Sequence, residues 1–248
     1  MFRINIVWLL LLLSSCVVVQ EGGSKNEKAS KINVQLGIGY YNQGNIEAAN
    51  EKLVKALQQD PTSSQAHHAY AVLQNRFLDP VKAETHFKKS VELDDKNSEA
   101  LNNFGTFLCK QKRYEEAEKM FMQAVENPLY RNPFVAFTNA AVCLLEAGEK
   151  HKLTAKNYLI RALVLGNNYR PALMQMAELT FEEKDYKLSI RYLERYHLVG
   201  QHTARSLWLA IQINMENQQI EKANTLAEQL QKEFPKSAEY QSWLALTK

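Results

Sequence analysis

The sequence predicts an all-α protein built as a stack of helical hairpins, and three observations carry that prediction. Ala, Leu, Glu, Lys and Gln are abundant, while there are only six prolines and nine glycines, a balance that suits helices better than strands. A small residue recurs at Ala49, Ala83, Ala117, Ala155, Ser189 and Ala223, at spacings of 34, 34, 38, 34 and 34 residues. The first three are followed four residues later by Leu53, Phe87 or Phe121, and seven later by Ala56, Ser90 or Ala124. Steps of four and seven keep these side chains on one face of a helix.

The chain has 248 residues, long enough to bury a sizeable core in one large or two small domains. Lys and Arg total 30 against 27 Asp and Glu, and the charges are spread out rather than gathered into a basic stripe. That distribution argues against nucleic acid as a partner.

Taken in order, residues 1–15 read as an export signal. Arg3 gives a positive start, Ile4 to Leu13 an apolar stretch broken only by Asn5, and Ser14 and Ser15 close it. A permanent span needs about 20 apolar residues, and this run falls short. The ending Leu13, Ser14, Ser15, Cys16 resembles the lipobox of bacterial lipoproteins. The resemblance implies that Cys16 is acylated and becomes the first residue after the signal is removed. Val17 then stands second, where aspartate would resemble an inner-membrane retention signal, so the expected location is the outer membrane, lipid-anchored and facing the periplasm. Residues 16–31 turn polar and glycine-bearing, which reads as a flexible tether.

From residue 32 to residue 248 the repeat takes over. Thirteen residues before the first three alanines stand Leu36, Tyr70 and Phe104, each followed by Gly37, Ala71 or Gly105. This arrangement resembles the tetratricopeptide repeat, which implies a right-handed α-solenoid of about six units. Their approximate bounds are 30–63, 64–97, 98–131, 134–169, 170–203 and 204–236, with Pro61 closing the first. Small residues let the two helices of a unit approach, and Leu53, Phe87 and Phe121 fill the space between units. The four extra residues of the 38-residue step fall in NPLYRNP and in the turn EAGEKHKLTA, where a loop lengthens at small entropic cost. Residues 237–248 are expected to form a capping helix, covering the apolar end with Tyr240, Trp243, Leu244 and Leu246.

No catalytic constellation emerges, and the chain is not expected to be an enzyme, to bind a small-molecule substrate or to use a cofactor. His67 and His68 are adjacent and point apart on a helix, so they do not share a metal. They are read as solvated or groove-lining, and His151 as an exposed turn residue. Phosphate loops, nucleophile elbows and zinc-protease helices are missing from the sequence. The cysteines Cys16, Cys109 and Cys143 have no C-x-x-C spacing. Cys109 and Cys143 lie on the first helices of units three and four, which neighbour one another in a solenoid. An oxidising periplasm permits a bridge, and two buried thiols remain the alternative.

Function is then sought on the inner face lined by the first helices. The family's groove positions correspond here to Val34, Ile38, Tyr41 and Asn42, then His68, Val72, Asn75 and Arg76, then Asn102, Thr106, Cys109 and Lys110. Later units contribute Thr138, Val142, Leu145, Met174, Phe181, Trp208 and Met215. Val34 and Ile38 stand where a carboxylate clamp would need polar groups, so an apolar helix or extended peptide fits better. For Val34, Ile38 and Val72, packing against the next unit is the competing explanation.

Signal, tether and six units together resemble the pilotins of type IV pilus systems, most specifically in LNNFGTFLCKQKRYEEAEKMFMQAV and TNAAVCLLEAG. The resemblance implies binding to subunits of the pilus secretin, and help in their outer-membrane localisation and multimerisation. The alternative is another envelope tetratricopeptide lipoprotein, acting with the outer-membrane protein insertion machine or as a peptidoglycan-hydrolase adaptor.

Overall fold

Residues that recur every 34 positions turn out to be those where helices touch. Ala49, Ala83, Ala117, Ala155, Ser189 and Ala223 are all fully buried. Behind them Leu53, Phe87, Phe121 and Leu159 are closed off from solvent as well. A methyl group on Gly37 would lie 2.6 Å from Leu53 Cγ, and one on Gly105 would lie 2.8 Å from the Phe121 ring. Glycine at these two positions is therefore what lets the first helix of each unit close onto the second.

The computed structural model describes residues 25–246. In chain order, unit one comprises α1 (Lys25–Asn42) and α2 (Ile46–Gln59), and unit two α3 (Ser64–Leu73) and α4 (Pro80–Leu93). Unit three comprises α5 (Ser98–Lys110) and α6 (Tyr114–Glu126), and unit four α7 (Pro133–Ala147) and α8 (Lys152–Leu165). Unit five comprises α9 (Arg170–Glu182) and α10 (Tyr186–Leu198), and unit six α11 (Ala204–Glu216) and α12 (Ile220–Glu233). The last described helix is α13 (Ala238–Leu246). Each second helix packs on the first helix of the next unit, and consecutive first helices also approach one another. That closeness bends the array so that the first helices line its inner face, giving the six-unit α-solenoid with a terminal cap that the sequence predicts.

The turns repeat as faithfully as the helices. Gly44, Lys112, Lys184 and Gln218 occupy one repeat position and have φ of 75°, 60°, 61° and 59°. Two units depart from this. Unit two passes through a π-helical turn at Gln74–Leu78, and Asp79 then caps α4 by accepting from the Val81 and Lys82 amides at 2.9 and 3.1 Å. Unit four reverses at Gly148, φ 113°, and adds a 3₁₀ turn at Glu149–His151, one of the two stretches where the sequence places the extra residues.

Buried polar side chains are hydrogen-bonded, with Ser98 Oγ an exception. Ser189, the one non-alanine of its column, donates to Ala177 O at 2.7 Å. Ser64 and Ser90 exchange hydroxyl-to-carbonyl bonds at 2.9 Å each, pinning the start of α3 to the end of α4. Thr180 back-bonds to Met176 O at 2.7 Å.

Three expectations are corrected. Residues 25–31, expected to belong to the tether, are helical: α1 begins at Lys25 and is 18 residues long. Ser30 is buried there and donates to Ala56 O at 2.9 Å, while Asn33 donates to Gln59 Oε1 at 2.8 Å. Those bonds across to α2 hold the first turns of α1 against the array. Leu36, in the column of Tyr70 and Phe104, is exposed, because no described helix packs on that side of α1. At the other end Tyr240 and Trp243 pack against Leu207, Ile211 and Leu230, but Leu246 points into solvent. Cys16 and the signal lie outside the described residues.

Candidate protein-binding groove

The inner face of α1 and α3, together with the loops that precede α5 and α7, encloses a groove of about 690 Å³. Repeat geometry supplies its floor. Ile38 and Val72 are equivalent residues of units one and two, so they project from neighbouring helices at the same height. Ile38 is 44 % exposed, and Val72 and Tyr41 are half-buried beside it. At the lip, Arg76 donates to the Tyr41 hydroxyl at 3.1 Å and lies 5.1 Å from the Phe77 ring centroid. Tyr41 meets Phe77 edge-on at 5.8 Å, so an aromatic and cationic group frames one end.

His68 forms the polar part of the wall. Asn103 Nδ2 donates to its Nε2 at 2.8 Å, and its ring stands near Phe87. Burial pushes the imidazole down to about 4, so the ring is neutral at pH 7. Opposite it, Tyr130 from the loop before α7 lines the groove, and burial, with Glu99 and Tyr169 nearby, pushes its phenol up to about 12. Lys31, Asp94, Lys96, Glu99 and Arg131 complete the lining, so neutral and charged polar groups surround the apolar floor.

Of the residues read as groove-lining, the structure brings Val34, Ile38, Tyr41, His68 and Val72 together and leaves out Asn75, Asn102 and Thr106. Val34 needs a further correction. It is only 5 % exposed and packs with Ala56 and Ala66, so its main work is to join units one and two. Asn102 is buried too, where it accepts from Asn139 Nδ2 at 3.0 Å and links α5 to α7. Thr106 donates back to Asn102 O at 3.0 Å. Asn75 sits in the π-helical turn at Gln74–Leu78 and does not line the groove. Asn103 and Tyr130 were missed. The only sequence signal for Tyr130 is the lengthened linker NPLYRNP, which marks a break in the repeat rather than a wall.

A second cavity of about 550 Å³ lies farther along and is lined by Leu145, Phe181, Trp208 and the Arg205–Glu178 ion pair. Three of the expected later groove residues thus meet there. Thr138, Val142 and Met174 line another hollow, of about 520 Å³, although little of Thr138 and Met174 is exposed.

Cys109 and Cys143 are joined as a disulfide, with their Cα atoms 5.7 Å apart. The bridge connects α5 and α7, so Cys109 is a joint between units and not a groove residue. His67 does not turn to solvent but stacks on His86, with the Nδ1 atoms 2.9 Å apart. Among the described residues no group of three or more His, Cys, Asp or Glu side chains is placed to hold a metal. No described helix is long and apolar enough to cross a membrane.

A curved stack of hairpins with an apolar, hydrogen-bonding inner groove defines a tetratricopeptide-repeat protein, and the profile of that repeat matches residues 86–119 and 205–237. The chain is 33 % identical to the type IV pilus assembly protein PilF of Pseudomonas aeruginosa, over 98 % of both chains. It belongs to this family of tetratricopeptide-repeat type IV pilus biogenesis proteins. A structure solved in the functional characterisation of Pseudomonas aeruginosa pilF superposes with a TM-score of 0.80 at 34 % identity, covering 90 % of this chain and 99 % of that one. The crystal structure of PilW, a widely conserved type IV pilus biogenesis factor, gives 0.79 at 26 % identity, covering 87 % and 98 %.

Proposed function

We propose that this chain is an outer-membrane lipoprotein that takes subunits of the type IV pilus secretin into the groove of its first units and promotes their localisation and multimerisation. Membership of the pilus biogenesis family supports the pathway, and the lipobox-like Leu13, Ser14, Ser15, Cys16 supports the anchor. The observation that carries the reading is the groove itself. Ile38, Tyr41 and Val72 leave an apolar floor open, while the neutral His68–Asn103 pair stands beside it. A secretin segment with large apolar side chains would bury them on that floor and place backbone groups against Asn103 and Gln35, which also lines the groove. Acylation adds a second attachment, so a captured subunit is held at the membrane by two linked binding events. No bond is made or broken.

Ile38, not Val34, is the residue with which to test the groove, because a charge at Val34 would sit within the joint between units. In a pull-down from detergent extract, Ile38→Asp is expected to cut secretin capture about tenfold, the loss expected when a buried apolar contact at a hot spot is removed. Circular dichroism should be unchanged. Full capture by a normally helical variant would remove the groove as the docking site. In cells, Cys16→Ser should leave secretin multimers depleted or misplaced. Normal secretin multimers in a deletion strain with a general outer-membrane assembly defect would favour the insertion-machine reading instead.

A further inference from the structure

Helical hairpins put every reversal from a second helix to the next first helix on one edge of the array, and the start of α1 stands on that same edge. Hydrogen bonds join the reversals that end units two and three, and those that end units four and five. Asn127 donates to Lys96 O at 2.9 Å, Arg195 to Asn167 O at 2.6 Å and Arg170 to Gln201 O at 2.5 Å. Three consecutive reversals, those that end units three, four and five, turn large apolar side chains to water. Leu129 is 84 % exposed, Val164 78 %, Leu165 53 % and Leu198 83 %. Val164 and Leu198 lie 34 residues apart, at one repeat position of adjacent units, while Leu129, on the preceding reversal, also lines the inner groove. The opposite side has exposed Val81, Leu153 and Ile220, but these belong to units two, four and six and are each separated by a whole unit. A patch spread over three neighbouring reversals marks an interaction surface.

We infer that this rim rests on the membrane, with Leu129, Val164, Leu165 and Leu198 entering the interfacial layer of the bilayer. The inference rests on the proposed acylation of Cys16. Nine residues separate Cys16 from Lys25, and at about 3.3–3.6 Å per residue they reach at most about 30 Å. The rim that carries Lys25 is thus held close to the lipid. The 18 residues of α1 extend about 27 Å at a rise of about 1.5 Å per residue, which sets the opposite edge a full helix length farther away. Exposed Lys25, Lys28, Lys96, Arg131 and Arg161 stand along or beside the rim and supply cations for headgroup phosphates, among the exposed acids Asp94, Asp95, Glu99, Glu126 and Glu194. A protein held this way stands on edge, with its inner groove opening sideways along the membrane, where an outer-membrane channel subunit would be met.

The test uses the full acylated chain in vesicles of phosphatidylethanolamine and phosphatidylglycerol that contain a lipid with a photo-activatable acyl chain. Mass spectrometry of the cross-linked peptides should place label on 127–132, 160–168 and 196–201, about fivefold above the turns at Lys112 and Lys184. Val164→Gln with Leu198→Gln should lower that labelling severalfold while helicity stays constant. Equal labelling of both edges, labelling of neither, or a rim occupied by cross-links to a second copy overturns the inference. The intact mass separates the two readings. An unacylated chain overturns the anchor and the rim together, whereas an acylated chain without rim label overturns the rim alone.

Discussion

Lys112, Lys184 and Gln218 hold left-handed backbone at a position where unit one uses Gly44. A side chain there costs about 1 kcal/mol relative to glycine, so these three turns carry strain that unit one avoids. Lys112→Gly is expected to raise the thermal midpoint by about 2–4 °C for a chain of this size, read by circular dichroism, with no change of fold. His68 gives a pH dependence of definite sign. In the unfolded chain it takes up a proton near pH 6.5, and in the folded chain burial delays this to about 4. Between those values the unfolded state binds the extra proton. Stability is therefore held above about pH 6.5 and falls by up to about 1.4 kcal/mol per pH unit on acidification towards 4. Burial lowers His197 to about 4 and lowers His86 too, so urea midpoints across that window should show a combined slope, which His68→Gln should reduce but not abolish. The buried columns of Ala and Phe were legible at this scale because only small and large residues in fixed register can pack. The burial of Val34 was not, since an apolar residue on an inner helix can face either the groove or the neighbouring unit.

Helices begin where capping groups allow. Asn45, Asp79 and Asp185 accept amide bonds at the starts of α2, α4 and α10. Arg113 occupies the same position before α6 without capping it, and instead forks to Glu84 at 2.6 Å and Glu116 at 2.7 Å, tying unit three to unit two. The early start of α1 was not readable from Lys25 to Lys31, because that stretch is polar and the bonds that order it come from α2. Between α5 and α7, the Cys109–Cys143 bridge closes a loop of 34 residues, worth about 3–4 kcal/mol if it acts by restricting the unfolded chain. Under oxidising conditions, thiol counting should find neither cysteine free, and Cys109→Ala with Cys143→Ala should lower the urea midpoint by about that energy. Two reactive thiols in the folded, oxidised protein would contradict the bridge. Sequence showed both cysteines on neighbouring helices but could not bring their Cα atoms within range.

Across the whole molecule, stability passes from unit to unit, so each exposed end needs a cover. At the far end that cover is α13, whose Tyr240 and Trp243 shield Leu207, Ile211 and Leu230. Deleting residues 237–248 should cost about 2 kcal/mol, from partial loss of two aromatic contacts, and size-exclusion chromatography should reveal self-association. The groove is likewise a property of the array rather than of a unit. Its floor comes from α1 and α3, while Tyr130 comes from the linker that the 38-residue step lengthens.

By itself the sequence determined the all-α class, the six units, the packing columns and the kinship with type IV pilus biogenesis proteins, since these depend on spacing along one helix and from one unit to the next. Only the tertiary structure decided that Val34 and Asn102 are joints, that Asn103 and Tyr130 are walls, that α1 begins at Lys25, and that Leu129, Val164 and Leu198 share one rim. Each of those outcomes depends on what a neighbouring unit places opposite a side chain, and a repeat spacing does not encode that.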